Sequence, residues 1–204
     1  IRAINGIVGL VTIYTLTRVL NAEEYGIYVL GLAGVSVSSS ILFQWLNAGV
    51  ARLCSTHSNS MRAFFSEVFW LYRVASVAGI IFLLGWIMVR PKDGISMEVG
   101  VAVAFAAIAM GAYNMHLQIH NARMQPLRYG MLSSSRAVFV LALSAVAAMA
   151  GYGAAGAIIG VALGAFMAVI LFGYRQSKKH AQDDLGLTIR RQIITYGGPL
   201  ALTY

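Results

Sequence analysis

An all-helical, polytopic membrane fold is what this sequence predicts, and three observations predict it. Hydrophobic residues make up 59% of the 204 and charged residues 11%, where a soluble domain carries about 25% charged. Mean hydropathy is +0.74. Apolar runs of about 20 residues, the length that crosses a bilayer as a helix, recur along the chain with short polar breaks between them.

The first run extends from Ala3 to Thr17 and reads as clipped at its start, because no initiator methionine precedes it. A cleaved signal peptide is a poor account of it, since Asn-Ala-Glu-Glu is no small-residue cleavage site. Tyr25 to Val50 follows without one formal charge, then Trp70 to Val89, then Val99 to Ala122. Ala137 to Tyr174 is again uncharged but too long for one span. Gly151-Tyr152-Gly153 divides it into a fifth helix, beginning near Met131, and a sixth. A seventh apolar run opens at Ile193 and the sequence stops within it, so the chain reads as a fragment. The expected organisation is a six-helix lobe over 1–174, a basic cytoplasmic loop over 175–192, and the start of helix 7 over 193–204.

Fifteen basic against seven acidic residues would suggest nucleic acid in a soluble protein. Here the basic residues follow topology, and no nucleic-acid partner is expected. With the N-terminus cytoplasmic, twelve of them (Arg2, Arg52, Arg62, Arg73, Arg123, Arg128, Arg136, Arg175, Lys178, Lys179, Arg190, Arg191) fall inside. Arg18, Arg90 and Lys92 fall outside, an asymmetry of the positive-inside kind. Membrane lipids are the first expected partner, anionic inner-leaflet lipids attracting the basic loops. The one cysteine, Cys54, excludes an intrachain disulfide framework.

Several segments resemble one family. They are "TRVLNAEEYGIYVL" after the first span, "LNAGVARLCS" closing the second, "IHNARMQPLRYGMLSSSRAV" between the fourth and fifth, and "YGGPLAL" near the end. Together they resemble the polysaccharide and oligosaccharide flippases of the multidrug/oligosaccharidyl-lipid/polysaccharide exporter superfamily. The resemblance implies a transporter of about 12–14 helices in two lobes related by a pseudo-twofold, working by alternating access. Its expected cargo is an undecaprenyl-pyrophosphate-linked glycan carried from inner to outer leaflet of the cell inner membrane, for O-antigen-type surface polysaccharide. No covalent chemistry and no cofactor are implied, apart from a coupling ion, H+ or Na+. A polysaccharide polymerase and other assembly proteins are the implied protein partners.

An anionic sugar head group needs a hydrated groove and cations to meet its phosphates. Arg136, about 7 Å inside a helix that starts near Met131, is the first candidate, with snorkelling to the inner surface as its other possible role. The resemblance adds Arg52 and Arg18 as cavity cations. For Arg18 a local role competes, as an ion partner of Glu23 and Glu24 in a loop where Gly26 permits a sharp reversal. Ser36, Ser40, Gln44 and Asn47 recur at helical spacing and share one face of the second span. Gln44 and Asn47 are candidate sugar contacts, since amides both donate and accept. In the fourth span Asn114, Gln118, Asn121 and Gln125 share one face, which makes Asn114 and Gln118 candidates too. His116, His120 and Arg123 occupy the opposite face. The His pair lacks a third ligand for a metal; interfacial packing and a titrating role in coupling are its other readings.

Two rival functions remain. A multidrug-and-toxin-extrusion cation antiporter of the same fold would want an intramembrane carboxylate, and only Glu67 comes near one. A membrane polymerase or ligase of the same pathway would need a catalytic constellation at one depth, and none is visible.

Overall fold

The computed structural model describes residues 2–54, 61–89, 96–173, 189–191 and 193–195. Among these the chain is helical throughout, as α1 (Arg2–Val19), α2 (Ala22–Leu53), α3 (Met61–Val89), α4 (Met97–Ala122), α5 (Pro126–Met149) and α6 (Gly153–Phe172). Residues 189–191 and 193–195 are also helical. Five stretches, in α2 to α6, are long and apolar enough to cross a membrane; that of α1, Ala3–Val19, is shorter. Apolar side chains face outward in helical stripes: Ile4, Ile7, Leu10 and Tyr14 on α1, Leu30, Val37 and Ile41 on α2, Val74, Val77 and Ile81 on α3. Lipid accommodates such a surface where water does not.

The polar island after α1 works differently from its sequence reading. Asn21 caps α2: its side chain accepts from the Glu24 N–H at 2.8 Å, and the Glu24 carboxylate accepts from the Asn21 N–H at 3.3 Å. Glu23 and Glu24 therefore serve the helix start, where carboxylates also oppose the macrodipole. Arg18 is exposed and lies over its own helix's Tyr14 ring at 5.4 Å; among the described residues it makes no ion pair with either glutamate. Gly26 is no hinge. It sits inside α2 with open space where a side chain would go.

The turn at 151–153 is where the sequence puts it, with Gly151 and Gly153 both at positive φ. Its far wall is Glu24: a Cβ on Gly153 would lie 2.7 Å from Glu24 Oε1. The first loop and this turn therefore share one side of the bundle. At the other end Met124, at φ 52, closes α4, with Gln125 N donating to His120 O and Met124 N to Asn121 O, both at 3.0 Å. Pro126 at the first position then starts α5 at once.

Two helices begin earlier than their apolar runs. α3 starts at Met61, nine residues before Trp70, and α5 starts five residues before Met131. The added turns carry Glu67 in α3 and Arg128 in α5, which hydropathy alone reads as loop. The shift places Arg73 twelve residues into α3 and Arg136 ten residues into α5. Neither belongs to an inner loop, and the basic asymmetry becomes ten against three.

α5 and α6 form a tight hairpin because α6 presents Gly156, Gly160 and Gly164 on one face. A Cβ on Gly160 would fall 2.5 Å from the Ser144 backbone N, and one on Gly164 2.6 Å from that of Val140. Small residues at membrane interfaces allow this approach. Ser144 Oγ seals it by donating to Ala157 O at 3.0 Å. One core gathers Leu16, Tyr28, Val35, Ala106, Ile158 and Ala162 between α1, α2, α4 and α6. A second lies at the C-terminal ends of α2 and α4 and the start of α3, where Phe64, Phe65, Val50 and Ile119 enclose Ile189 and Ile193. The loop expected over 175–192 thus gives way to helix by 189. Residues 174–188 and 196–204 lie outside the described residues.

Candidate functional site

α2 and α4 run parallel, Gly34 lying against Val103 and Phe43 against Gly111, and their contact is set by Gly111, against which the Phe43 ring is seated. Phe43 in turn stacks on Tyr72 of α3, with centroids 4.9 Å apart, and the Tyr72 hydroxyl donates to Ile108 O at 2.6 Å. This arrangement fixes the rotation of both helices and so decides where their amides point.

They point into one cleft. Gln44 and Asn47 from α2 and Asn114 and Gln118 from α4 line a space of about 360 Å³, joined by Ser39 and Ser40. Ala48, Ala51 and Leu117 complete the wall. All four residues singled out as sugar contacts are therefore brought together, from two helices more than 60 positions apart in sequence. Among the described residues the lining carries hydroxyls and amides and no charged side chain. Asn47 Oδ1 is shut from solvent without a partner in the structure, a lone acceptor of the kind that native interiors rarely leave unsatisfied.

The rest of the two sequence stripes goes elsewhere. Ser36 is exposed, and its carbonyl accepts from Ser39 Oγ at 3.1 Å. Ser39, absent from the sequence stripe, takes a place in the lining, although at about 100° per residue it lies well off the face of Ser40, Gln44 and Asn47. Asn121 is exposed. Gln125 leaves the face entirely, because α4 ends at Ala122. Its Oε1 lies 3.3 Å from His120 Nδ1, while His120 Nε2 lies 3.2 Å from Phe172 O at the end of α6. His120 therefore ties α4 to α6. His116, also buried, lies beside the Phe69 ring of α3. Among the described residues no group of three metal-ligating side chains forms.

The three candidate arginines do not line the cleft. Arg18 lies exposed at the end of α1, and Arg52, also exposed, at the far end of α2. Arg136 is the interior one. It stands about 15 Å along α5 at 1.5 Å per residue, twice the depth its sequence position suggested. Its guanidinium carbon lies 4.7 Å over the Tyr113 ring, and its Nε is buried without a partner in the structure. Tyr28 is within electrostatic range. Three residues earlier on the same face, Ser133 accepts from Asn5 Nδ2 of α1 at 2.6 Å, and Asn5 Oδ1 is a second buried, unpartnered atom. Successive helical residues diverge by about 100°, so Tyr113 and Asn114 hold the arginine and the amide cleft on different sides of α4.

Glu67 is buried, and its carboxylate is paired with Arg190. The Arg190 guanidinium carbon also lies 4.0 Å over the Trp70 ring. The carboxylate that the sequence reading singled out thus has its own cation.

Comparison with protein-family models, with curated proteins and with solved structures finds no match for this chain.

Proposed function

We propose that this chain is one lobe of a two-lobe, 12–14-helix transporter that carries lipid-linked oligosaccharide or polysaccharide precursors across the cell inner membrane, N-terminus inside. The observation that carries the reading is the shared cleft of Gln44, Asn47, Asn114 and Gln118, an uncharged, hydrogen-bonding concavity of about 360 Å³ in a bundle of apolar helices. Amide stripes facing lipid would be costly; facing one another across a cleft, they suit a polyhydroxylated cargo. Arg136, deep in α5 with a free Nε, offers a second contact, of opposite charge to a pyrophosphate. The cation-antiporter reading loses its carboxylate, because Glu67 is already neutralised by Arg190.

The test is a chromosomal inactivation in the parent organism. The expected result is loss of surface glycan together with accumulation of the lipid-linked precursor in the inner leaflet. Unchanged glycan with a lost efflux of cationic dyes would move the assignment to the antiporter.

A further inference from the structure

The chemistry of the cleft goes further than transport of a glycan in general. A saccharide hydroxyl both donates and accepts, and so do the serine hydroxyl and the carboxamide. Ser39, Ser40, Gln44, Asn47, Asn114 and Gln118 supply two of the first kind and four of the second, from opposite walls. A sugar carboxylate asks for something else. Once desolvated it needs a charge-assisted partner, an arginine or lysine, and among the described residues the lining has neither. Arg52, one turn beyond Ala48 at the end of α2, is not among the lining residues. Arg136 is committed to the other side of α4, over Tyr113. The volume is near the low end of the roughly 300–1,000 Å³ of small-molecule sites, room for one or two sugar rings and not for a repeat unit. Leu117, Ala48 and Ala51 offer the apolar wall on which a ring's C–H face rests.

We propose that the α2–α4 cleft is a neutral-sugar subsite, which takes uncharged hexose or N-acetylhexosamine rings of the cargo and discriminates against uronic acids. The proposal rests on the glycan-transport reading and adds the class of sugar. Discrimination comes from the missing cation and not from shape, so a single substitution can reverse it.

The experiment uses the full-length protein in lipid nanodiscs, with N,N′-diacetylchitobiose and digalacturonate as probes and saturation-transfer NMR as the readout. Diacetylchitobiose binds saturably and digalacturonate at least about tenfold more weakly, the ratio worth about one unit of charge-assisted hydrogen bonding. Gln44→Leu and Asn114→Leu abolish the diacetylchitobiose signal, while Val146→Ala on the outward face of α5 leaves it unchanged. Gln118→Arg reverses the preference by bringing digalacturonate to at least the affinity of the neutral disaccharide, a gain that a misfolded variant cannot imitate. Digalacturonate binding as tightly as diacetylchitobiose to the unaltered protein overturns the inference and leaves the glycan reading standing. Absence of binding by both disaccharides to the folded protein overturns the two together.

Discussion

Arg190 donates through Nε to a carboxylate oxygen of Glu67 and so fastens the helical turn at 189–191 to α3. The Glu67 side chain is 9% exposed and that of Arg190 31%. Removing one partner of a fully buried pair costs about 3–5 kcal/mol, and the partial exposure of Arg190 lowers this to about 2. Glu67→Ala and Arg190→Ala should each lower the thermal midpoint of the detergent-solubilised protein. The double variant should lose less than their sum, by about 1 kcal/mol or more. Strict additivity would mean that the turn is held by Ile189 and Ile193 alone.

The glycine face of α6 makes a sharper demand. At Gly160 the opposing atoms are the Ser144 backbone, which cannot rotate away. Gly160→Val should therefore separate α5 from α6, and the protein should fail to purify as a monodisperse species. Gly26→Ala is the contrast, since nothing stands within 4 Å. There alanine should raise stability by up to about 1 kcal/mol through helix propensity. Equal behaviour of the two variants in size-exclusion and thermal assays would contradict this packing.

How much of this was legible beforehand depended on which interaction fixed each feature. Spans were legible because lipid imposes length and composition on the sequence itself. The starts of α3 and α5 were not. Their first turns lie where polar side chains are tolerated, and Pro126 and the Met124 closure, not apolarity, set the boundary of α5. The amides of α2 and α4 could be found one helix at a time from their spacing. Their convergence could not, because it depends on Phe43 seated against Gly111, a contact between helices. Ser36 and Gln125 were lost for related reasons: the cleft is shorter than the stripe, and α4 stops before Gln125. Arg136 was placed on the right helix but too shallow, by the same early start of α5.

Glu24 against Gly153 puts the first loop and the α5–α6 turn on one side, and the proposed orientation makes that side the outer one. In a Cys54→Ala background, cysteines at Asn21 and Tyr152 should react with an impermeant maleimide from outside. A cysteine at Met124 should react only after lysis. Tyr152 and Met124 are 72% and 86% exposed, so access is not limiting. The native Cys54 should label poorly in either case, being buried, with its thiol pushed up by that burial. A split between Asn21 and Tyr152 would refute the bundle, and a uniform reversal would refute the orientation.

Arg136 poses the most consequential question, because a guanidinium half-way along a spanning helix is costly unless water, a partner or a ligand meets it. Its Tyr113 seat provides a cation–π contact of about 0.5–2 kcal/mol, too little to offset that cost, and Nε still lacks an acceptor. Under the proposed function, that acceptor is an anionic group of the cargo. Arg136→Met keeps the aliphatic packing and deletes the charge, so it should reduce glycan export at least about tenfold while leaving protein abundance intact. Arg136→Lys should retain partial export, since lysine keeps the charge but loses the planar fork that suits phosphate. Tyr113→Leu should fall between them, because the guanidinium loses its seat but remains. Normal export by Arg136→Met would sink the head-group role and leave Arg136 a packing residue of the α4–α5 seam, with the amide cleft carrying recognition alone.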